Sequence, residues 1–165
     1  MLEAARNRVV GSAVAIALLM VFVPQFSALP TGISGASVQN GCTCHSATVD
    51  DSVSLSLEGL PETYVSEESY NLGISLIGGP EASGENHGGF NLRANHGTLI
   101  PLDDSVQVIE GATTHTEIGN DQRVWQVQWV APESDTVWVT FTLLGNAVNG
   151  DGTANSEDLW NVLEL

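Results

Sequence analysis

The chain has 165 residues, 42% of them hydrophobic, and a formal charge of −16, because twenty acidic residues oppose four arginines and no lysine. This length allows one domain plus a short targeting segment. An acidic surface repels nucleic acid and anionic lipid, so the composition excludes nucleic-acid binding and favours a solvated, acidic exterior.

The N-terminal 29 residues have the composition of an export signal. Arg6 and Arg8 precede an apolar run over residues 9–23, and polar residues follow it. The run is shorter than the ~20 residues that span a bilayer comfortably, which favours a signal peptide. If the run extends to Leu29 it approaches membrane length, so an uncleaved N-terminal anchor helix is the alternative. Either arrangement exports the rest of the chain.

Two positions compete as the cleavage site of this signal. Residues 27–28 lie close to the apolar run, but the bulky Phe26 occupies the critical upstream position. Residues 34–36 fit the small-x-small rule but lie far from the apolar run. The sequence leaves the choice open.

Residues 30–51 are predicted to form a Gly- and Ser-rich tether that carries the one chemical motif of the chain. Its only two cysteines, Cys42 and Cys44, are followed directly by His45. Two thiols can each add to a haem vinyl group, and the imidazole can ligate the iron. The usual haem motif has two residues between the cysteines, whereas this one has a single residue. The motif therefore predicts a variant site for haem c.

Two other interpretations of the motif remain open. An exported protein meets an oxidising compartment, which favours a Cys42–Cys44 disulfide, although so small a loop strains the bond. Two thiolates and a histidine can also hold zinc or copper.

Residues 52–165 are predicted to form a β-sandwich. Apolar and polar residues alternate in six short runs, and Gly-, Pro- and Asp-containing turns separate them. About seven antiparallel strands at this spacing indicate two packed sheets. Trp125, Trp129 and Trp138 are predicted to pack in the core or on a sheet face. Residues 156–163 are the one stretch after the N-terminus for which a helix is considered. The alternating runs are 53–57, 70–76, 90–94, 106–108, 125–129 and 137–143.

The order of several segments resembles the choice-of-anchor V family, a relative of the Reeler domain, over residues 38–165. After the cysteine motif come GFNL at 89–92, THT at 114–116, WQVQWVAP at 125–132, VTF at 139–141 and GNAVNGDG at 145–152. The resemblance implies an Ig-like or Reeler-like β-sandwich held at a cell surface, and it implies haem at the cysteine motif. It implies no enzymatic activity.

A low-spin haem needs a sixth iron ligand in addition to His45. His115 is the first choice, because it lies in a family-like segment. His87 and His96, on either side of the predicted strand at 90–94, are the alternatives.

A second candidate site is an Asn-, Gly- and Asp-rich stretch near the C-terminus. Alternating oxygen ligands with a glycine at the turn are typical of calcium loops. Ala147 stands where the first aspartate belongs, and the same residues also suit a plain turn. The predicted calcium ligands are Asn149, Asp151, Thr153, Asn155 and Asp158.

No motif of a hydrolase, metalloprotease, phosphate loop or dinucleotide site occurs, so the chain is not expected to be an enzyme. The leading hypothesis is an extracytoplasmic electron-transfer module with one covalent haem c and an unidentified redox partner. The alternative is a cofactor-free adhesion or recognition domain that binds a cell-surface protein or glycan. In it, Cys42 and Cys44 would form a disulfide and the loops could bind calcium. Membrane contact is expected only through an uncleaved N-terminus.

Overall fold

The computed structural model describes residues 30–33, 41–42, 45–134 and 136–165. The predicted signal or anchor at residues 1–29 lies outside the described residues, as do Thr43 and Cys44. Within the described ranges no helix is long and apolar enough to cross a membrane.

The described residues form nine strands and one short 3-10 helix. In chain order they are β1 Val53–Glu58, β2 Ser69–Gly78, β3 Gly88–Ala94, β4 Thr98–Pro101, β5 Val106–Ile109, β6 Ala112–His115, the 3-10 helix Ile118–Asp121, β7 Val124–Val130, β8 Phe141–Ala147 and β9 Leu159–Glu164.

The strands form two antiparallel sheets, which confirms the predicted all-β sandwich. One sheet has the order β1-β2-β7-β4, and the other has the order β5-β6-β3-β8-β9. The described strands number nine, against the predicted seven, partly because β4 and β6 are only four residues long. In a strand of four residues, the alternation of apolar and polar side chains is too short to be distinguished from a turn by sequence.

The core lies between the two sheets, because alternate side chains of each strand point inward. Leu72 and Val127 from the four-stranded sheet are buried, as are Leu92 and Leu143 from the other. Aromatic rings also join the sheets: the ring centroids of Trp125 on β7 and Phe90 on β3 are 4.8 Å apart.

The outer faces of the two sheets differ in their exposure. On β7, buried residues alternate with exposed or half-buried ones, as expected for a strand with one wet face. On β8, six of the seven residues are buried, including the outward-facing Leu144 and Asn146. The outer face of the five-stranded sheet must therefore be covered by other parts of the chain.

Arg123 ties together the loops at one end of the sandwich. Its Nε donates to the carbonyl of His87 at 2.8 Å. Nη1 donates to Gly78 at 2.7 Å, and Nη2 donates to Pro80 at 2.6 Å. Burial lowers the pKa of this guanidinium, but its ordinary value is so high that the group stays charged.

Residues 156–163, the stretch for which a helix is considered, are not helical, because β9 occupies most of them. Its apolar residues are spaced closely enough to suit a helix face. Pairing with β8 decides the conformation instead, with Leu159 opposite Ala147 and Leu163 opposite Leu143. Local spacing could not reveal this long-range pairing.

The prediction of a strand at residues 137–143 is wrong at its first half, because β8 begins only at Phe141. The prediction that Trp138 packs in the core or on a sheet face is also wrong, since this residue is 93% exposed. Trp138 precedes the strand and falls on the outward phase of the alternation. Trp125 and Trp129 are each 1% exposed, as predicted.

Candidate functional site

Residues 30–33, here called the N-terminal strap, lie against the outer face of the five-stranded sheet. The Ile33 carbonyl accepts a hydrogen bond from Asn91 Nδ2 on β3 at 2.9 Å. The Thr31 carbonyl accepts one from Gln107 Nε2 on β5. Part of the predicted flexible tether is therefore held on the sheet by side-chain amides.

The cysteine motif lies on the same outer face, at β9. Gly41, with φ +49°, approaches the Trp160 indole so closely that a Cβ on this residue would overlap the ring. Cys42 packs against the small apolar cluster of Trp160 and Leu144. Trp160 Nε1 also donates to the Ser46 carbonyl at 2.9 Å. One tryptophan thus holds both sides of the motif.

The histidine of the motif is held by a buried carboxylate. The backbone N–H of His45 donates to the Cys42 carbonyl at 2.9 Å, which closes a turn around the motif. His45 Nδ1 lies 2.8 Å from Oδ2 of Asp158, whose side chain is only 1% exposed. The backbone N–H groups of Asn149 and Asn155 donate to the same carboxylate at 3.0 and 3.3 Å.

The His45–Asp158 contact determines which ring nitrogen can bind a metal. An ionised carboxylate only accepts hydrogen bonds, so His45 Nδ1 must carry the proton. In the neutral imidazole, Nε2 then has the lone pair. A histidine whose other nitrogen donates to a carboxylate is the usual arrangement for a metal ligand, because the carboxylate orients the ring and raises its basicity.

His115, the predicted sixth ligand, lies over β3 rather than beside His45. The backbone N–H of Phe90 donates to His115 Nδ1 at 3.2 Å, and the imidazole covers Gly89. The Phe90 carbonyl and the Thr114 hydroxyl each lie 3.5 Å from the same Nδ1.

The two predicted haem ligands share a face but are not adjacent. Gly89, under His115, is paired with Asn146, which is paired with Trp160 at the cysteine motif. Two strand spacings, about 10 Å, therefore separate these positions.

The alternative ligands His87 and His96 flank opposite ends of β3. His87 Nε2 contacts the Gly84 carbonyl at 3.2 Å within its loop. The carbonyl of His96 accepts a hydrogen bond from Trp129 Nε1 at 3.0 Å.

The predicted calcium ligands are near one another, but donors within the loop bond to two of the carboxylates. Asp151 accepts from the hydroxyl and the backbone N–H of Thr153 at 2.7 and 2.8 Å, and these bonds lower its pKa. Asp158 accepts from the backbone N–H groups of Asn149 and Asn155 and also contacts His45. These hydrogen bonds hold the loop as a turn, and the calcium site stays a prediction.

Within the described ranges, no group of three or more His, Cys, Asp or Glu side chains is arranged to hold a metal ion. Cys44 lies outside those ranges. The Cys42–Cys44 disulfide and the three-ligand thiolate site therefore both involve a residue outside the described part of the chain.

Sequence reasoning did not identify the residues that hold the cysteine motif. Asp158 was assigned to calcium, and Trp160 fell in the stretch considered as a helix. The one signal available in the sequence was the small or amide character of the outward-facing residues on β3 and β8, which are Gly89, Asn91 and Asn146. Such small or amide side chains leave room for a covering chain and can hydrogen-bond to its backbone.

No protein-family model matches the chain, and no curated protein matches it. Solved structures do. A crystal structure of the human F-spondin reeler domain aligns at 22% identity with a TM-score of 0.43, covering 69% of this chain and 90% of that one. A second structure of that human domain aligns at 25% identity and 0.41, covering 68% and 90%. The Reelin-N domain of F-spondin aligns at 24% and 0.42, covering 70% and 86%.

Proposed function

We propose that this protein is an exported, non-enzymatic electron-transfer module with one haem attached covalently at Cys42 and Cys44, with His45 as the iron ligand. This proposal rests on the 2.8 Å contact between His45 Nδ1 and the buried Asp158 carboxylate. That contact leaves Nε2 as the ligand nitrogen, as a haem-bound histidine requires. When bound, haem supplies one-electron redox chemistry.

The surroundings of the motif also suit a large apolar group. Trp160 and Leu144 form an apolar cluster on the outer face, and Cys42 packs on it. The shell around a metal site controls water access and the local dielectric, and so influences the redox potential. A turn already packed on this cluster would hold the thioether side of a porphyrin against a rigid sheet.

His115 stays the sixth ligand predicted from the sequence, but the proposal does not depend on it. Its ligation would require loss of the hydrogen bond from Phe90 N–H. A sixth ligand from elsewhere in the chain is compatible with the same attachment.

The partner we propose is a positively charged redox protein. The formal charge of −16 favours association with a complementary basic surface and repels other acidic surfaces. The N-terminal sequence supports a place outside the cytoplasm, because a positive flank and an apolar run are typical of an export signal.

The experiment is to export the full chain from a host that carries haem-maturation machinery. We expect a sharp α-band in the reduced-minus-oxidised spectrum and a haem adduct in the denaturing mass spectrum. Cys44→Ser should lose one covalent bond to the porphyrin, and His45→Ala should lose the low-spin spectrum. His87→Ala, in the loop directly before β3, is the matched control and should keep both.

Other masses identify the alternatives and overturn the proposal. An unmodified mass with bound zinc or copper would indicate a thiolate–imidazole metal site. A mass lower by two hydrogens would indicate a Cys42–Cys44 disulfide, as expected for a cofactor-free adhesion or recognition domain. In that protein, a rise in melting temperature with millimolar calcium would support the predicted calcium loop.

A further inference from the structure

The N-terminal strap is part of the folded domain rather than of the export signal. Three side-chain amides donate to three of its carbonyls: Asn91 to Ile33, Gln107 to Thr31 and Asn120 to Pro30. Asn91 and Asn120 are each only 5% exposed.

The one glycine of the strap is required for this docking. Gly32 is buried and has φ +73°, a conformation that L side chains rarely adopt. A Cβ at this position would overlap the Thr114 side chain and the His115 carbonyl on β6. The fit of backbone against sheet is therefore specific to this sequence.

We propose that export processing leaves the strap on the mature protein, so that any cleavage occurs before Pro30 and not after Ala36. Cleavage after Ala36 would remove the strap. It would remove the strap acceptors of Asn91, Gln107 and Asn120, of which Gln107 would keep the His115 carbonyl, and would uncover part of an outer sheet face. Cleavage after Ala28, or retention of the whole N-terminus, preserves these contacts. The structure thus favours cleavage at residues 27–28 over cleavage at residues 34–36.

The docked position of the strap also determines how the domain is oriented at the membrane if the N-terminus is kept as an anchor. The strap begins at Pro30, directly after the apolar N-terminal segment, and it docks beside Asn120 and β5. Six residues lie between Val23 and Pro30, and the seven Cα–Cα steps from one to the other span at most about 25 Å when fully extended. The β5 edge would face the membrane, and the cysteine motif on β9 would lie at the far edge of the sheet.

The direct test is the N-terminus of the exported protein, determined by intact mass and terminal sequencing. We expect a chain that starts at Leu29, or at Met1 if the anchor is retained. A mature chain that starts at Ser37 is eight residues shorter than one that starts at Leu29. Any N-terminus beyond Pro30 overturns the proposal.

A stability measurement on exported protein tests the same point independently. Gly32→Val should lower the melting temperature by several degrees, because the added side chain displaces the strap from β6. Thr31→Val replaces a hydroxyl with a methyl group at the neighbouring exposed position, keeps the backbone carbonyl and should leave the melting temperature unchanged. Equal melting temperatures for Gly32→Val and the unaltered protein would show that the strap is absent from the mature domain or does not dock, and would also overturn the proposal.

Discussion

Replacement of Asp158 by alanine tests the contact on which the candidate site depends. The carboxylate receives three donors: His45 Nδ1 at 2.8 Å, Asn149 N–H at 3.0 Å and Asn155 N–H at 3.3 Å. It is 1% exposed, so water cannot replace it without a rearrangement. Asp158→Ala therefore removes the acceptor for three groups at once.

The loss in stability can be estimated from these contacts. A hydrogen bond contributes about 1 kcal/mol net, and one to a charged group contributes more. Three such bonds give a loss of about 3 kcal/mol for Asp158→Ala. With a urea m-value of about 2 kcal/mol per molar for a small domain, the unfolding midpoint should fall by roughly 1.5 M.

The assay is urea unfolding of the exported protein, followed by tryptophan fluorescence, with His45→Ala and the double variant measured alongside. The coupling free energy between His45 and Asp158 should be about 1.5 kcal/mol. Asp104→Ala removes an exposed carboxylate and serves as the control, with a change within about 0.5 kcal/mol. A coupling near zero would mean that the two side chains do not interact, and the argument for His45 Nε2 as the ligand nitrogen would fail with it.

Three further predictions concern the rest of the molecule. Trp160→Ala should cost about 3 kcal/mol in urea unfolding and release the cysteine motif, whereas Trp138→Ala, at a 93% exposed position, should change stability by less than about 0.5 kcal/mol. Arg123→Lys keeps the charge but loses the planar fork that reaches several carbonyls, so it should lower the melting temperature almost as much as Arg123→Ala does. The pKa of Asp151 is lowered from 3.8 chiefly by the Thr153 hydroxyl. Its bonds are therefore present at neutral pH and lost as pH falls through that depressed value, and carboxyl NMR should show Thr153→Ala raising the pKa toward 3.8.

The parts of the fold that the sequence predicted well are those where local alternation and burial agree. On β2 and β7, inward residues such as Leu72 and Val127 alternate with polar neighbours, and both strands formed where predicted. The same reasoning identified the sandwich, because several strands with one apolar face each can bury those faces only against another sheet. The antiparallel two-sheet architecture thus followed from the period alone.

The candidate site could not be predicted in the same way, because long-range contacts build it. His45 and Asp158 are 113 positions apart, and Asn91 is 58 positions from the carbonyl of Ile33. An aspartate in an Asn- and Gly-rich stretch resembles a calcium ligand as long as its distant histidine partner is unknown. A Gly- and Ser-rich stretch likewise resembles a flexible tether as long as the amides that hold its backbone are unknown.

The outer faces of the two sheets thus differ in the side chains they carry and in what covers them. The outer face of the four-stranded sheet carries hydroxyl and amide side chains that pair with one another, such as Ser56 with Ser75 at 2.7 Å and Asn71 with Gln128 at 3.1 Å. It also carries exposed apolar side chains, which are Ile77, Ile100 and Val124. The outer face of the five-stranded sheet instead binds the N-terminal strap near β5, β6 and β3 and the cysteine motif at β9. Since one continuous segment supplies both, removal of the strap would also loosen the attachment of the motif. A protein that begins at Ser37 should therefore lose stability and also show a weaker coupling free energy between His45 and Asp158. An unchanged coupling would show that the strap and the cysteine motif are held on that face independently of each other.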